Sequence, residues 1–237
     1  MGSGIFYGVG VGPGDPGLLT LKAVELLKKT RIIVAPKAAR ERESLALDVV
    51  REFLTPGCTV LQLYFPMSRD NSCLEQAWEE ALGTVRVQLD KGEDVVFLTL
   101  GDPLMYSTCI YVLDRLKALG YTVRVIAGVP SFCAAAAAAV YPLAKGDERI
   151  ALFSWNETEP PSPSLLAEFD SVVLLKVASG LPQAVTALRQ AGMLEQSLLV
   201  SNCGRSAEEI SSDLEGAARR EAPPYLSLIL ARRREEQ

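Results

Sequence analysis

The stretch Val95-Val-Phe-Leu-Thr-Leu100 constrains the fold more than any other, because it is apolar at nearly every position and lacks inward–outward alternation. A strand patterned this way has both faces covered, as a central strand does in a parallel sheet flanked by helices. The segments around it keep to that scheme. Strands are expected at Ile5–Val11, Ile32–Ala35 (ending at Pro36), Thr59–Leu63 and Thr122–Ile126. Amphipathic helices alternate with them, from Thr20 to Lys29, from Ser44 to Leu54, from Leu74 to Lys91, and from beyond Thr108 to Leu119. Thr20 is placed to cap the first of these. The β-α rhythm predicts an open parallel sheet.

Beyond Gly128 the pattern changes. An alanine-rich helix, Cys133–Val140, precedes strands at Ile150–Phe153, Ser171–Lys176, Ser197–Ser201 and Tyr225–Ala231, with helices at Leu181–Ala191 and Ser206–Arg219. The expected fold class is α/β with two α/β domains, 1–128 and 129–237. The first carries the open parallel sheet and the second a mixed sheet. A chain of 237 residues can bury a core in each.

Three loops carry the chemical information. The first strand runs into Gly8, Gly10, Gly12 and Gly14 at alternate positions, then Asp15, a strand–glycine turn–helix order that brings backbone against a ligand. It is not a dinucleotide loop, since neither Gly8-x-Gly10 nor Gly10-x-Gly12 continues with the required spacing. Pro13 and Pro16 also remove amide donors that a pyrophosphate would need. The second loop, Gly101-Asp102-Pro103 followed by Tyr106-Ser-Thr108, places a carboxylate at the ligand-facing end of a parallel strand. Asp-Pro is equally a turn and cap pair. In the third, Gly128-Val-Pro-Ser131-Phe132, Ser131 is positioned as a helix N-cap.

Composition closes off several chemistries. The sequence contains no histidine, which removes the commonest general base and the commonest metal ligand. Its five cysteines are scattered without a C-x-x-C pair, so reduced thiols are expected and neither a disulfide frame nor a metal site. A net charge of −5 disfavours nucleic acid and membrane surfaces as partners. No apolar run approaches the roughly 20 residues that span a bilayer, and no secretory signal opens the chain. A cytoplasmic location is the expectation.

Together the three loops resemble the tetrapyrrole methylase family. The family's Gly-x-Gly-Pro-Gly-Asp motif is matched by Gly10-Val-Gly12-Pro13-Gly14-Asp15, continued by Leu18-Leu19-Thr20-Leu21-Lys22-Ala23, and its Gly-Asp-Pro motif by Gly101–Pro103. Phe65-Pro66-Met67-Ser68-Arg69-Asp70, Tyr106-Ser107-Thr108 and Ser131-Phe132 resemble the branch acting at carbon 20 of precorrin-2 or cobalt-factor II. One departure stands out: Pro130 occupies a position where the family carries a hydroxyl residue.

The resemblance implies the class III methyltransferase architecture with a ligand cleft between two domains, S-adenosyl-L-methionine as cofactor, a tetrapyrrole substrate, a homodimer, and no metal site of the chain's own. It places Pro13, Gly101, Asp102, Met105, Tyr106, Ser131, Phe132, Leu175, Lys176, Asn202, Cys203 and Gly204 near the cofactor, with Asp102 and Tyr106 as catalytic candidates. A substrate rich in carboxylates would call for a cationic rim, for which Lys37, Arg40, Arg69, Lys145 and Arg149 are candidates. Asp15 and Thr108 complete the substrate-side set. The alternatives are another tetrapyrrole methylase position, a diphthine-type methylase, or a non-catalytic nucleotide-binding module.

Overall fold

The computed structural model describes residues 2–37, 43–65, 71–220 and 222–234, with backbone alone at 71–74 and 76. The chain divides into two compact units, Met1–Pro130 and Ser131–Gln237.

In the first unit, strands β1 (Phe6–Gly10), β2 (Ile32–Lys37), β3 (Thr59–Tyr64), β4 (Val95–Thr99) and β5 (Val123–Ile126) form one sheet in the order β3-β2-β4-β1-β5. Every pairing is parallel. All five residues of β4 are buried, as its unbroken apolar run requires. Helices α1 (Leu21–Leu27) and α2 (Leu45–Val50) cover one face against Val9, Ile33, Val96 and Leu98. Helices α3 (Asn71–Asp90) and α4 (Cys109–Ala118) cover the other against Phe6, Val34, Val95 and Phe97. Right-handed crossovers produce this two-faced wrapping when successive connections run in opposite directions along the sheet. The direction reverses at the β4–β1 pair: β1 connects toward β2 on one side and β4 toward β5 on the other. The loops leaving these neighbouring strands consequently lie side by side.

The capped helix at Thr20 forms as expected, the Thr20 hydroxyl accepting from Ala23 N–H at 3.3 Å. Pro36 does not end β2, which continues to Lys37. It lies past Val34, the last β2 residue paired with β4, so its missing N–H breaks no ladder bond on that side.

The second unit opens with α5 (Ser131–Ala138), so Ser131 is the first helical residue rather than its cap. Its sheet contains β6 (Ile150–Ser154), β7 (Ser171–Leu175), β8 (Ser197–Ser201), β9 (Glu209–Ser211) and β10 (Ser227–Arg232), in the order β6-β7-β10-β8-β9. Among the described residues only β6 and β7 pair in parallel, so the sheet is mixed. Helices α6 (Pro163–Leu166), α7 (Leu181–Gln190) and α8 (Leu214–Ala218) pack Leu166, Leu181, Val185, Leu188 and Leu214 onto Val172, Leu174, Leu199 and Ile229. Each such side chain contributes about 1.5–3 kcal/mol on burial. The expected helix over Ser206–Arg219 is instead the edge strand β9 followed by the short α8. Pairing of Ile210 with Val200 takes the first part, and the Asp213 side chain, accepting from Gly216 N–H at 2.8 Å, restarts a helix after it. Among the described residues no helix is long and apolar enough to cross a membrane.

Candidate functional site

The C-terminal edge of the parallel sheet gathers the three loops singled out in the sequence. The loop after β1 pairs with the loop after β4 through an isolated bridge, Gly101 N–H donating to Gly12 O at 2.8 Å. Glycine is obligatory along this seam. A Cβ on Gly10 would lie 2.5 Å from Gly128 N and 2.6 Å from Gly101 O, and one on Gly128 would lie 2.2 Å from Gly101 O. Three backbones therefore meet where no side chain fits.

The glycine loop spends several of its amides internally. Val11 N–H donates to Thr99 O and Gly12 N–H to Gly101 O; Leu18 and Leu19 N–H close onto Asp15 and Pro16 carbonyls. The Asp15 carboxylate accepts from Gly17 N–H at 2.7 Å and caps a 3-10 turn over Pro16–Leu18. An anion would find few donors here, which agrees with the proline-based argument against phosphate.

Asp102 accepts from Leu104 N–H through Oδ1 (2.9 Å) and from Gly128 N–H through Oδ2 (3.0 Å). Both carboxylate oxygens hold loops together. Beyond it Leu104, Met105 and Tyr106 stand 57%, 38% and 49% exposed, an apolar trio in the open, and Tyr106 adopts the left-handed conformation at φ 49°. The loop is closed at its far end by Ser107, whose buried hydroxyl accepts from Cys109 N–H at 3.0 Å and lies 3.4 Å from the Thr99 hydroxyl. Thr108 precedes α4 without capping it. The Cys109 thiol, facing Gly8, is pushed up to about 12, mainly by burial.

In the second unit β6, β7 and β8 run in the same direction, so their C-terminal ends share one edge with the start of β10. That edge carries Leu175, Lys176, Asn202, Cys203 and Gly204. Lys176 (φ 61°) and Asn202 (φ 51°) turn the chain in the left-handed region directly after β7 and β8. Non-glycine residues held there store about 1–3 kcal/mol of strain each and gather at functional sites. Partial burial lowers the pKa of the Lys176 ammonium below the usual lysine range. Asn202 N–H donates to Leu226 O at 2.7 Å, and the Ser201 and Ser227 hydroxyls meet at 2.8 Å, tying β8 to β10. Gly204 N–H donates to the Glu208 carboxylate at 2.7 Å. Burial, with Glu208 beside it, raises the Cys203 thiol to about 12, so it is no nucleophile.

Residues 6–218 match the family model for tetrapyrrole (corrin/porphyrin) methylases. The chain belongs to the tetrapyrrole methylase family. It is 33% identical to a cobalt-precorrin-2 C(20)-methyltransferase of Salmonella typhimurium over 99% of this chain and 98% of the relative. A precorrin-2 C(20)-methyltransferase of Sinorhizobium is 31% identical, over 97% and 96%. Among solved structures, a cobalt-precorrin-4 methyltransferase superposes with a TM-score of 0.77 at 26% identity, covering 96% of this chain and 94% of that one. A uroporphyrin-III C-methyltransferase of Thermus thermophilus, in complex with S-adenosyl homocysteine, gives 0.68 at 25% identity, covering 96% and 97%.

The site residues expected from the sequence thus fall on two strand edges, one per unit. Pro13, Asp15, Gly101, Asp102, Met105, Tyr106 and Thr108 share the edge of the first sheet, and Leu175, Lys176 and Asn202–Gly204 that of the second. Ser131 and Phe132 form the first turn of α5, both half-buried. The cationic candidates are dispersed. Lys37 ends β2, on the same sheet edge as the glycine loop. Arg149 precedes β6 at the opposite edge from Lys176, where it lies 3.8 Å from Asp170, and Lys145 stands exposed in the approach to it. Arg40 and Arg69 lie outside the described residues, as does most of Phe65–Asp70. Among the described residues no group of three His, Cys, Asp or Glu is arranged to hold a metal ion. Sequence reasoning missed Ser107 as a loop anchor. It also missed the packing of Gly10 on Gly128, for which the only trace was a glycine at each strand end.

Proposed function

We propose that this protein transfers the methyl group of S-adenosylmethionine to carbon 20 of precorrin-2, free or cobalt-bound, in cobalamin biosynthesis. The observation that carries the proposal is 33% identity across 99% of the chain to a relative of that named activity. The residues fit the cofactor. A glycine loop that spends several of its amides internally suits a ligand without phosphate, and the exposed Leu104–Met105–Tyr106 trio offers cover to a thioether and an aromatic ring.

Bound S-adenosylmethionine supplies an electrophilic methyl on a sulfonium. The chain's contribution is to orient, and it needs little acid–base chemistry when the acceptor is an electron-rich carbon. Pro13, Gly101, Met105 and Tyr106 form the cofactor surface of the first unit; Leu175, Lys176, Asn202, Cys203 and Gly204, with Ser131 and Phe132, are assigned the same role in the second. Lys37, at the end of β2, is assigned to the substrate carboxylates. A homodimer, testable by light scattering, and a cytoplasmic location complete the proposal, and the net charge of −5 supports the absence of a nucleic-acid or membrane partner.

Incubation with labelled S-adenosylmethionine and either precorrin-2 or cobalt-factor II, read by product mass and carbon NMR, tests it. A methyl group at any carbon other than 20 would sink the assignment.

A further inference from the structure

We infer that Asp102 is a positioning residue: its carboxylate latches two loops so that the Leu104–Met105–Tyr106 trio is presented as a preformed cofactor platform, and it is not the acceptor of the substrate proton. The cofactor part of this inference rests on the proposed function; the latch itself rests on geometry.

Both Asp102 oxygens are occupied by backbone donors, Leu104 N–H at 2.9 Å within its own loop and Gly128 N–H at 3.0 Å across the neighbouring strand end. A carboxylate serving two amides has each oxygen already engaged by a backbone donor, which ties its orientation to the two loops. The remaining supports act on the same segment. Gly101 is bridged to Gly12 before it, and Ser107 binds Cys109 N–H after it, with the Thr99 hydroxyl alongside. The six residues from Asp102 to Ser107 are therefore anchored at both ends and once in the middle. The side chains of Leu104, Met105 and Tyr106 face outward from this anchored backbone, with Tyr106 turned by its left-handed conformation. A loop held this way loses little freedom when ligand arrives, and pre-organisation of that kind raises affinity without adding contacts.

Asp102→Asn separates latch from base. The amide keeps one acceptor but sets an NH2 group against the other backbone N–H. We expect S-adenosyl homocysteine, titrated calorimetrically, to bind at least tenfold more weakly. KM for S-adenosylmethionine should rise by more than kcat falls, with the pH profile of kcat keeping its shape. Unaltered affinity, or loss of the acid limb of that profile, overturns the inference. Ser107→Ala provides a second arm, because a hydroxyl buried behind the loop cannot be the proton acceptor. It too should weaken binding severalfold, and wild-type affinity there counts against a preformed platform. Amide exchange in the ligand-free protein judges the latch alone: Leu104 and Gly128 should lose protection in Asp102→Asn, and retained protection refutes it. Failure of the wild type to bind S-adenosyl homocysteine would strike the cofactor assignment and leave that exchange result standing.

Discussion

Val140 closes α5 in a conformation that suits glycine. Its N–H donates to Ala137 O at 3.1 Å and that of Tyr141 to Ala136 O at 2.8 Å, the paired bonds of a Schellman ending. The residue at the turn must adopt positive φ, and Val140 does so at 50° despite its β-branch. Because Val140 is 89% exposed, almost no burial offsets the strain. Relief on replacement by glycine is about 2 kcal/mol, the middle of the usual range for such residues. Against it stands the greater freedom of glycine in the unfolded chain, about 1 kcal/mol. Val140→Gly should therefore stabilise the protein by about 1 kcal/mol, seen as a rise in Tm of about 2–4 °C. Val140→Asn should recover part of the gain, since asparagine tolerates the left-handed region. Urea denaturation and calorimetry on the three proteins measure this directly. A Val140→Gly variant less stable than the parent would show that the valine makes a contribution outweighing its strain.

Further outcomes follow from the packing. Gly8→Ala would place a Cβ 2.8 Å from the Cys109 sulfur, a side-chain neighbour, whereas Gly128→Ala would drive one into the Gly101 carbonyl. Gly8→Ala should cost about 1–3 kcal/mol, and Gly128→Ala more, by urea midpoints. Arg232, 7% exposed, is paired with Glu148 and donates to Pro142 O at 2.9 Å. Glu148→Ala should destabilise by about 3 kcal/mol by removing the carboxylate paired with that buried charge, while the double change Arg232→Met with Glu148→Leu restores most of the loss. Burial raises the Cys109 thiol from 9.0 to about 12, and the Tyr141 phenol from 10.0 to about 12. The folded state thus keeps protons that the unfolded chain releases, so stability is full below about pH 9 and falls as pH rises toward 12. Cys109→Ala should flatten that fall in urea titrations between pH 8 and 11.

The first unit was largely legible because its determinants are local. Unalternating Val95–Leu100 announced a doubly covered strand, and Thr20 its helix start. The region 206–219 was misjudged because Ala207, Glu208 and Glu209 favour a helix locally while an edge pairing with β8 decides the outcome. Such pairings depend on a partner strand, not on neighbours in sequence. At the site, the glycine and proline pattern was visible and its consequence was not. The Asp102–Gly128 bond spans 26 residues and the Arg232–Glu148 pair 84, and no periodicity reports contacts over such separations. Left-handed turns at Tyr106, Lys176 and Asn202 were equally hidden, because none of the three is glycine.

The glycine seam has a consequence for how this protein can be altered. With Gly10, Gly101 and Gly128 in direct backbone contact, the loops have no spare volume through which a substitution could shift one against another. Under the proposed function, changes of ligand preference would come from outward side chains such as Leu104, Met105 and Tyr106, which lie outside the seam. A library built on those three positions should retain folded protein at high frequency, whereas one built on the seam should yield almost none. The molecule thus separates the positions that can diversify from those that cannot.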